Sequence, residues 1–323
     1  MNDHPRSKTL CLFGALAAAG LLATTQAQAG AYGLAINDIN TFRITTSSGT
    51  VALTGANRNA SDSTYFENAA PVNPRAINTG PTANADVPQV CAGGGCAGMQ
   101  QNNYAPSPVL EFARGDAHSF GNMLTGTGAT MRAVSEAQRD TVGAASSTAG
   151  DTLTGSVNLT LSRAGFITFS FLARRDLRSS VTSLGDKSNV SIMDIFSIAC
   201  NAASPAGCAT RANADGIVFQ FAPDGDANNG SDVNGDHATG SRDPFSLNLT
   251  AGTNDPGTAR AFTNNFALFS LTSNFALPAG SYTLNFSKST RTDIVVIQQV
   301  PEPATLLLLG IGLAALATTR RKA

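Results

Sequence analysis

Residues 155–175 read GSVNLTLSRAGFITFSFLARR, and this stretch decides the fold class. Val157, Leu159 and Leu161 alternate with polar residues before a turn at 164–165, and a second apolar segment follows the turn. Alternation of this kind is typical of a β-strand with one buried face, because successive side chains point to opposite faces of a sheet. The stretch therefore predicts two strands.

Similar short segments continue on both sides. The strand-like ones downstream are VSIMDIFSI, GIVFQFA, DPFSLNL, NFALFSLTSNFAL, SYTLNFSKS and TDIVVI. Upstream, INTFRITT and TVALT flank Ser47-Ser48-Gly49, which predicts a hairpin turn, and VLEFARGD predicts a short strand. The closing LPAGSYTLNFSKSTRTDIVVI predicts a last hairpin. Many short strands separated by turns predict a mainly β protein with an antiparallel β-sandwich or jelly-roll-like ectodomain.

Two stretches do not fit the strand pattern. Residues 55–106 are rich in Asn, Ala and Pro, which predicts an irregular insertion over one end of the sheet. Residues 129–142, ATMRAVSEAQRDTV, have a helix-forming composition with few apolar positions, which predicts a short surface helix.

The N-terminus carries the pattern of a secretory signal peptide over residues 1–29. Arg6 and Lys8 give a positive start, an apolar helical run follows, and Ala27-Gln28-Ala29 forms a small-residue cleavage site. Cleavage there would leave a mature ectodomain at 30–299, followed by the segment 300–323.

The C-terminal segment has three parts. Val300 precedes Pro301-Glu302-Pro303, where the prolines favour an extended backbone. The apolar run ATLLLLGIGLAALATT predicts a short transmembrane helix, and a basic cluster of Arg320, Arg321 and Lys322 marks its cytoplasmic end. The segment predicts either a plain anchor or a sorting signal that is cut at the prolines.

The C-terminal segment resembles a PEP-CTERM sorting domain. The resemblance rests on the order of its parts: the PEP residues, then a short Gly-containing apolar helix, then a basic end. The resemblance implies an exported protein of a Gram-negative bacterium that exosortase, a transpeptidase-like membrane enzyme, processes near Pro301-Glu302-Pro303. It also implies an inner-membrane intermediate and a final place on the cell surface or in the exopolysaccharide matrix. The ectodomain, through AYGLAINDINTFRIT, EFARGDAHSF and FITFSFLA, resembles exosortase-dependent surface proteins, which adds no catalytic residue.

Composition narrows the function classes. The formal net charge is −1, only 13% of residues are charged, and the chain has 31 Gly and no Trp. No basic field exists to hold nucleic acid. The composition is typical of a secreted β-rich domain.

Cysteines outside the signal segment form two close pairs, in CAGGGC and CNAASPAGC. Export to an oxidising compartment favours two local disulfides, although other connectivities stay open. A zinc site is the rival, but the spacing is wrong for a zinc ribbon and His is scarce. The expected pairs are Cys91 with Cys96 and Cys200 with Cys208.

The acidic stretch 224–243, DGDANNGSDVNGDHATGSRD, resembles a calcium loop and suggests Ca²⁺ as a cofactor. It departs from that pattern at His237, which stands where the sharp turn needs Gly, so a solvated Asp/Asn/Gly loop is the alternative. The candidate ligands carry side-chain oxygens and fall largely at every second position: Asp224, Asp226, Asn228, Asp232, Asn234, Asp236 and Asp243.

Catalytic motifs are not apparent in the sequence. The run Asp116, His118, Ser119 is too close along one strand to form a triad, and Glu111 is one of few glutamates that could serve a glycosidase. Arg174, Arg175 and Arg178 could contact acidic polysaccharide. We expect a non-enzymatic surface or matrix protein of the envelope or biofilm. A carbohydrate-binding module for secreted polysaccharide is the second hypothesis, and a secreted hydrolase the third.

Overall fold

The computed structural model describes residues 30–67, 70–73, 75–81, 84–107, 111–124, 127–226, 231–237 and 240–297. These parts of the chain form sixteen strands and one short 3-10 helix at Gly94–Cys96. The strands are β1 Ala31–Thr46, β2 Val51–Glu67, β3 Ala70–Val72, β4 Arg75–Pro81, β5 Asn84–Ala92, β6 Phe112–Asn122, β7 Gly128–Arg139, β8 Gly143–Leu161, β9 Ile167–Val181, β10 Lys187–Ala199, β11 Ile217–Phe221, β12 Gly235–Asp236, β13 Leu249–Thr253, β14 Arg260–Thr263, β15 Ala267–Ser273 and β16 Gly280–Val296.

The strands form two antiparallel sheets. Sheet A has the order β12-β15-β9-β1-β7-β6-β5, and β14 also pairs with β9. Sheet B has the order β11-β10-β16-β8-β2-β3, with β13 paired to β10 and β4 paired to β2. The prediction of a mainly β, antiparallel fold is confirmed. The predicted signal helix and transmembrane helix lie outside the described residues.

Phenylalanine side chains join the two sheets at one end of their interface. Phe42 and Phe171 of sheet A lie 4.7 Å and 5.2 Å, between ring centroids, from Phe196 of sheet B. Phe169 stacks on Phe219 at 5.0 Å. All five side chains are fully buried. Because aromatic rings bury large apolar areas, this cluster supplies a major share of the core.

A bulge in β1 directs Phe42 into this core. Before the bulge the odd-numbered Ala35 and Ile39 face the core, and after it the even-numbered Phe42 and Ile44 do. The register of β1 with both neighbouring strands shifts across this point, where Thr41 has a φ of 56°. One extra residue changes which side chains face inward, as β-bulges do.

The opposite end of the interface is lined by small and polar side chains. Ser135 of β7 and Thr292 of β16 meet there, 3.1 Å between their hydroxyl oxygens. Gly33 of β1 lies so close to sheet B that a Cβ atom would stand 2.6 Å from Cγ2 of Thr292. Small residues therefore let the two sheets approach closely here.

Ser47-Ser48-Gly49 does not form the predicted hairpin. β1 belongs to sheet A and β2 to sheet B, so the segment carries the chain between sheets. The connection from β8 to β9 crosses beside it, and Phe166 N donates to Ser47 Oγ at 2.9 Å. Gly49 has a φ of 70°, and an added Cβ would lie 3.0 Å from Cβ of Arg163. Ser47-Ser48-Gly49 does interrupt the strands, but local sequence does not reveal which sheet each strand joins.

The predicted helix at 129–142 is wrong, because Gly128–Arg139 forms β7 in the middle of sheet A. Ala133 and Ala137 face sheet B, while Val134 and Glu136 lie buried on the opposite face. Both faces are covered, so the strand lacks a polar, solvent-exposed face. Tertiary context overrides its helix-forming composition.

Three further expectations need correction. Residues 55–106 are not an irregular insertion, since they contain most of β2 together with β3, β4 and β5. The VLEFARGD strand begins at Phe112 and runs past Gly115-Asp116 to Asn122. The closing segment is not a hairpin but the single strand β16, whose partners are β8 and β10.

We expect Phe196→Ala to lower the free energy of unfolding by about 3–5 kcal/mol, because it removes a large buried ring and leaves a cavity. Met193→Ala on the same strand is the matched control, since Met193 is 39% exposed. That change should stay within about 0.5 kcal/mol of the wild type. Denaturant unfolding of the three proteins measures the difference. Equal losses for both variants would contradict the assignment of Phe196 to the core.

Candidate functional site

A segment at 99–107, here called the strap, is held against β6 and β7. Arg114 on β6 donates from Nη1 to the main-chain oxygen of Asn103 at 3.0 Å and from Nε to Glu136 at 2.8 Å. Glu136 on β7 accepts the N–H of Ser107 at 2.9 Å. Arg114 and Glu136 are almost fully buried, and their closest ion-pair distance is 2.7 Å. The two charged groups compensate each other, and both also bond to the main chain of the strap. Because disturbing a buried ion pair is strongly destabilising, these bonds hold the strap firmly in place.

Tyr104 anchors the centre of the strap. Its ring joins a small apolar cluster with Leu34, Ile36 and Val134 on the outer face of sheet A. Its hydroxyl contacts Nδ1 of His118 on β6. The strap therefore covers apolar surface that would otherwise face solvent.

The run Asp116, His118, Ser119 does not converge on a catalytic arrangement. Asp116 accepts the N–H of Asn102 in the strap at 2.6 Å, and Ser119 is directed to the opposite face of the strand. Burial, aided by the charge of Arg132, lowers the pKa of His118 to about 4. His118 is therefore neutral at pH 7 and serves as a buried contact for the strap.

Glu111 stabilises the turn after β7. Its Oε1 accepts the N–H groups of Asp140 at 2.6 Å and Thr141 at 2.8 Å, and its Oε2 accepts the hydroxyl of Tyr65 at 2.5 Å. Desolvation raises the pKa of Glu111, but these bonds and the charge of Arg139 outweigh it, so the pKa lies below its ordinary value. The carboxylate serves the fold as an ionised acceptor.

Carboxylates of the acidic stretch mostly cap its own turns. Asp243 Oδ2 accepts the N–H groups of Asp224 at 2.8 Å and Gly225 at 3.0 Å. Asp224 in turn accepts the N–H groups of Asp226 and Ser231 at 3.0 and 2.8 Å. This behaviour is ordinary for Asp in turns.

Two carboxyl groups of the acidic stretch lie in surroundings that disfavour their ionised forms. Burial raises the pKa of Asp232 to about 7 and that of Asp243 to about 6, and neighbouring carboxylates add to both shifts. Asn234 has its amide engaged by the main-chain oxygens of Arg211 and Val218. Asp236 lies in β12.

The structure brings the candidate calcium ligands together only in part. Among the described residues, no group of three or more His, Cys, Asp or Glu side chains is arranged to hold a metal ion. Asn228 lies outside the described residues. The calcium hypothesis stays a prediction.

The three arginines that could contact acidic polysaccharide lie within β9. Arg174 donates to buried Asp38 at 3.1 Å, and Arg178 pairs with Asp176 at 2.7 Å. Arg175 points into the protein and donates to Asn264 at 2.8 Å. Each of these side chains has a polar partner within the protein, and Asp176 lies between Arg174 and Arg178 along the strand.

Both expected cysteine pairs are disulfides in the structure. Cys91 is bonded to Cys96, and Cys200 to Cys208. Each bridge closes a short loop, so each constrains only local structure.

The predicted terminal sites fall outside the described residues. These are the cleavage-site residues Ala27 and Ala29, the motif Pro301-Glu302-Pro303 and the basic cluster Arg320, Arg321 and Lys322. In the part of the chain that the structure describes, no helix is long and apolar enough to cross a membrane.

Comparison with known families identifies the C-terminal segment. Residues 299–322 match the family model described as the PEP-CTERM protein-sorting motif. The chain carries a PEP-CTERM protein-sorting motif. This motif indicates exosortase-dependent sorting of an exported surface protein, and it implies a surface or extracellular location. No curated protein and no solved structure matches the chain.

Sequence reasoning missed the strap and a set of buried polar residues between the sheets. The signal for one of them was present, because Leu284, Phe286 and Lys288 share one face of an alternating strand. A lysine at that position is predicted to point into the core. Its partners on other strands could not be identified without the strand order.

The calcium hypothesis makes a sharp prediction. Ca²⁺ should raise the melting temperature of the wild type, because it would relieve repulsion among buried carboxylates, and should not raise that of Asp232→Asn. Asp215→Asn, at an exposed turn, is the matched control and should respond like the wild type. Calorimetry and thermal melting measure both. If Ca²⁺ gives no binding heat and does not change the melting temperature of the wild type, the calcium hypothesis is wrong and the stretch is a solvated set of turns.

Proposed function

We propose that the protein is a non-enzymatic surface or matrix protein that exosortase processes, with a structural role in the envelope or exopolysaccharide biofilm of a Gram-negative bacterium. The observation that carries this proposal is the PEP-CTERM motif at 299–322. The domain boundaries proposed with it are a signal peptide at 1–29, an ectodomain at 30–299 and a sorting segment at 300–323.

A structural role is supported by how the buried ionisable groups are used. Arg114 and Glu136 hold the strap, Glu111 caps a turn, and His118 contacts Tyr104. Each of these groups has a partner within the fold that accounts for its burial. An enzyme would instead be expected to direct such groups together into a cleft.

Processing of the tail follows from its order of segments. Export would carry the ectodomain outward, and the basic cluster at 320–322 would stop transfer on the cytoplasmic side. Pro301-Glu302-Pro303 would then lie at the outer face of the inner membrane. β16 ends at Val296, so the folded region reaches almost to this motif. Cleavage there would release the ectodomain toward the surface or matrix.

A groove on the outer face of sheet B favours carbohydrate binding as the second candidate function. Its volume is about 540 Å³, and its lining includes Ser191, Met193, Gln220, Asn248 and Arg291. Amide and guanidinium groups can donate hydrogen bonds to sugar hydroxyls. None of the groove's lining residues is aromatic, so the site would lack a stacking platform for sugar rings.

Pull-down with the secreted polysaccharide tests that candidate. The wild type should be retained, and a Gln220→Ala/Arg291→Ala variant should lose most of its retention because it loses the donors on both sides of the groove. Lys187→Ala, elsewhere on the surface, is the control. Failure of the wild type to bind, or equal binding by the groove variant, would remove this function and leave the structural role.

Replacing Pro301, Glu302 and Pro303 by Ala should block processing. The variant should accumulate as a larger inner-membrane form that keeps residues 304–323, whereas the surface form of the wild type should lack them. Intact mass of both forms measures this. An Asp255→Ala/Pro256→Ala variant, which removes an acid and a proline from an exposed loop, should be processed normally. A wild-type surface form that still carries residues 304–323 would show that the segment is a plain anchor.

A further inference from the structure

Three polar side chains meet in the interior between the two sheets. Asn37 lies on β1 of sheet A, and Asp194 and Lys288 lie on β10 and β16 of sheet B. All three are completely buried. Their inward neighbours along the strands include Ile39 and Phe286. Lys and Asp are almost never fully buried without a specific partner, so this cluster requires an explanation.

The cluster brings an amine, a carboxamide and a carboxyl group together. Lys288 Nζ donates to the main-chain oxygen of Asn37 at 2.8 Å. The side-chain Nδ2 of the same Asn37 donates to Asp194 Oδ2 at 2.7 Å. Asp194 and Lys288 stand directly opposite each other on paired strands. The amine is therefore already bound to the residue whose carboxamide contacts the acid.

Hydrogen bonding within the cluster is incomplete. Oδ1 of Asn37 and Oδ1 of Asp194 are buried and have no hydrogen-bond partner among the described residues. A network that served only to order the core would be expected to satisfy both oxygens, because each unsatisfied buried acceptor lowers stability. The free oxygen of Asp194 is an acceptor that can take up a proton.

We propose that Lys288 and Asn37 form an intramolecular isopeptide bond and that Asp194 transfers the protons. The neutral Nζ of Lys288 attacks Cγ of Asn37, and the new Nζ–Cγ bond forms as the Cγ–Nδ2 bond breaks. Asp194 takes a proton from Nζ and gives one to Nδ2, which leaves as ammonia. The products are one amide cross-link and one ammonia molecule. Asp194 is regenerated, and no oxidant or cofactor is consumed.

The buried setting favours this chemistry. Desolvation raises the pKa of Asp194 to about 6, although the charge of Lys288 and the bond from Asn37 act in the opposite direction. Transfer of a proton from an ammonium to a carboxylate removes both charges from the interior, and burial favours the uncharged forms. The resulting amine is a nucleophile, and the fold holds it 2.8 Å from the main-chain oxygen of the residue that carries its target, as an intramolecular reactant.

The bond would join the two sheets through the first and last strands of the described chain. Asn37 and Lys288 are 251 positions apart. Force applied through the C-terminal segment enters the ectodomain at β16, and the cross-link would pass it directly to β1. The proposal goes beyond the proposed function and stands whether or not exosortase processes the tail.

Mass spectrometry of the full-length protein tests the proposal. The wild type should be lighter than its sequence requires by one ammonia molecule, after allowance for disulfides and terminal processing. Trypsin should fail to cut after Lys288, and fragmentation should show one branched peptide that contains Asn37 and Lys288. Lys288→Arg, Asn37→Ala and Asp194→Ala should restore the missing mass. Lys187→Arg, at an exposed lysine on β10, should behave like the wild type.

The branched peptide separates this bond from other losses of ammonia. A succinimide formed at Asn37-Asp38 would lose the same mass, but it would persist in Lys288→Arg and would give no branched peptide. That result would overturn the proposal. A wild type with unchanged mass and normal cleavage after Lys288 would overturn it as well. If the core variants do not fold, the branched peptide of the wild type decides the question alone.

Discussion

The structure depends on contact between its first and last strands. β1 lies between β9 and β7 in sheet A, and β16 lies between β10 and β8 in sheet B. Lys288 of β16 reaches the main chain of β1 at Asn37. Sheet A takes strands from β1 to β15 and sheet B takes strands from β2 to β16, so neither sheet can be completed until almost the whole ectodomain is available. Such long-range pairing makes folding slow compared with folds that rely on local contacts.

The interface between the sheets has two parts with different physical roles. The phenylalanine cluster around Phe42 and Phe196 excludes water and supplies apolar burial. The end around Gly33 and Thr292 permits close approach of the sheets and holds polar groups that pair across them. The outer face of sheet A is covered by the strap, which the buried pair of Arg114 and Glu136 holds in place.

Strand alternation made the fold class predictable, but it did not determine strand neighbours. Val157, Leu159 and Leu161 alternate clearly and are buried in β8 as expected. Gly128–Arg139 was misassigned because both of its faces are covered, so Ala and Glu occupy positions that a half-exposed strand would not give them. Ser47-Ser48-Gly49 was predicted to form a hairpin turn, but it carries the chain from one sheet to the other. The sorting motif was predictable because it is a short continuous segment that can be recognised without knowledge of the fold.

The disulfide pairs were predictable for the same reason, since Cys91 and Cys96 are near neighbours in the chain. The roles of Glu111 and Asp194 were not, because their partners lie on other strands. The calcium loop shows the opposite error. Regularly spaced oxygens suggested a metal site, whereas Asp224 and Asp243 in the described residues are used largely as turn caps.

Amide hydrogen exchange of the folded protein tests the central place of β1 and β16 most directly. Amides near Asn37 and Lys288 should exchange slowest and at similar rates, because opening either strand disrupts a whole sheet. The edge strands β5 and β11 should exchange first. Exchange of β1 as fast as β5, with β16 still protected, would contradict the account.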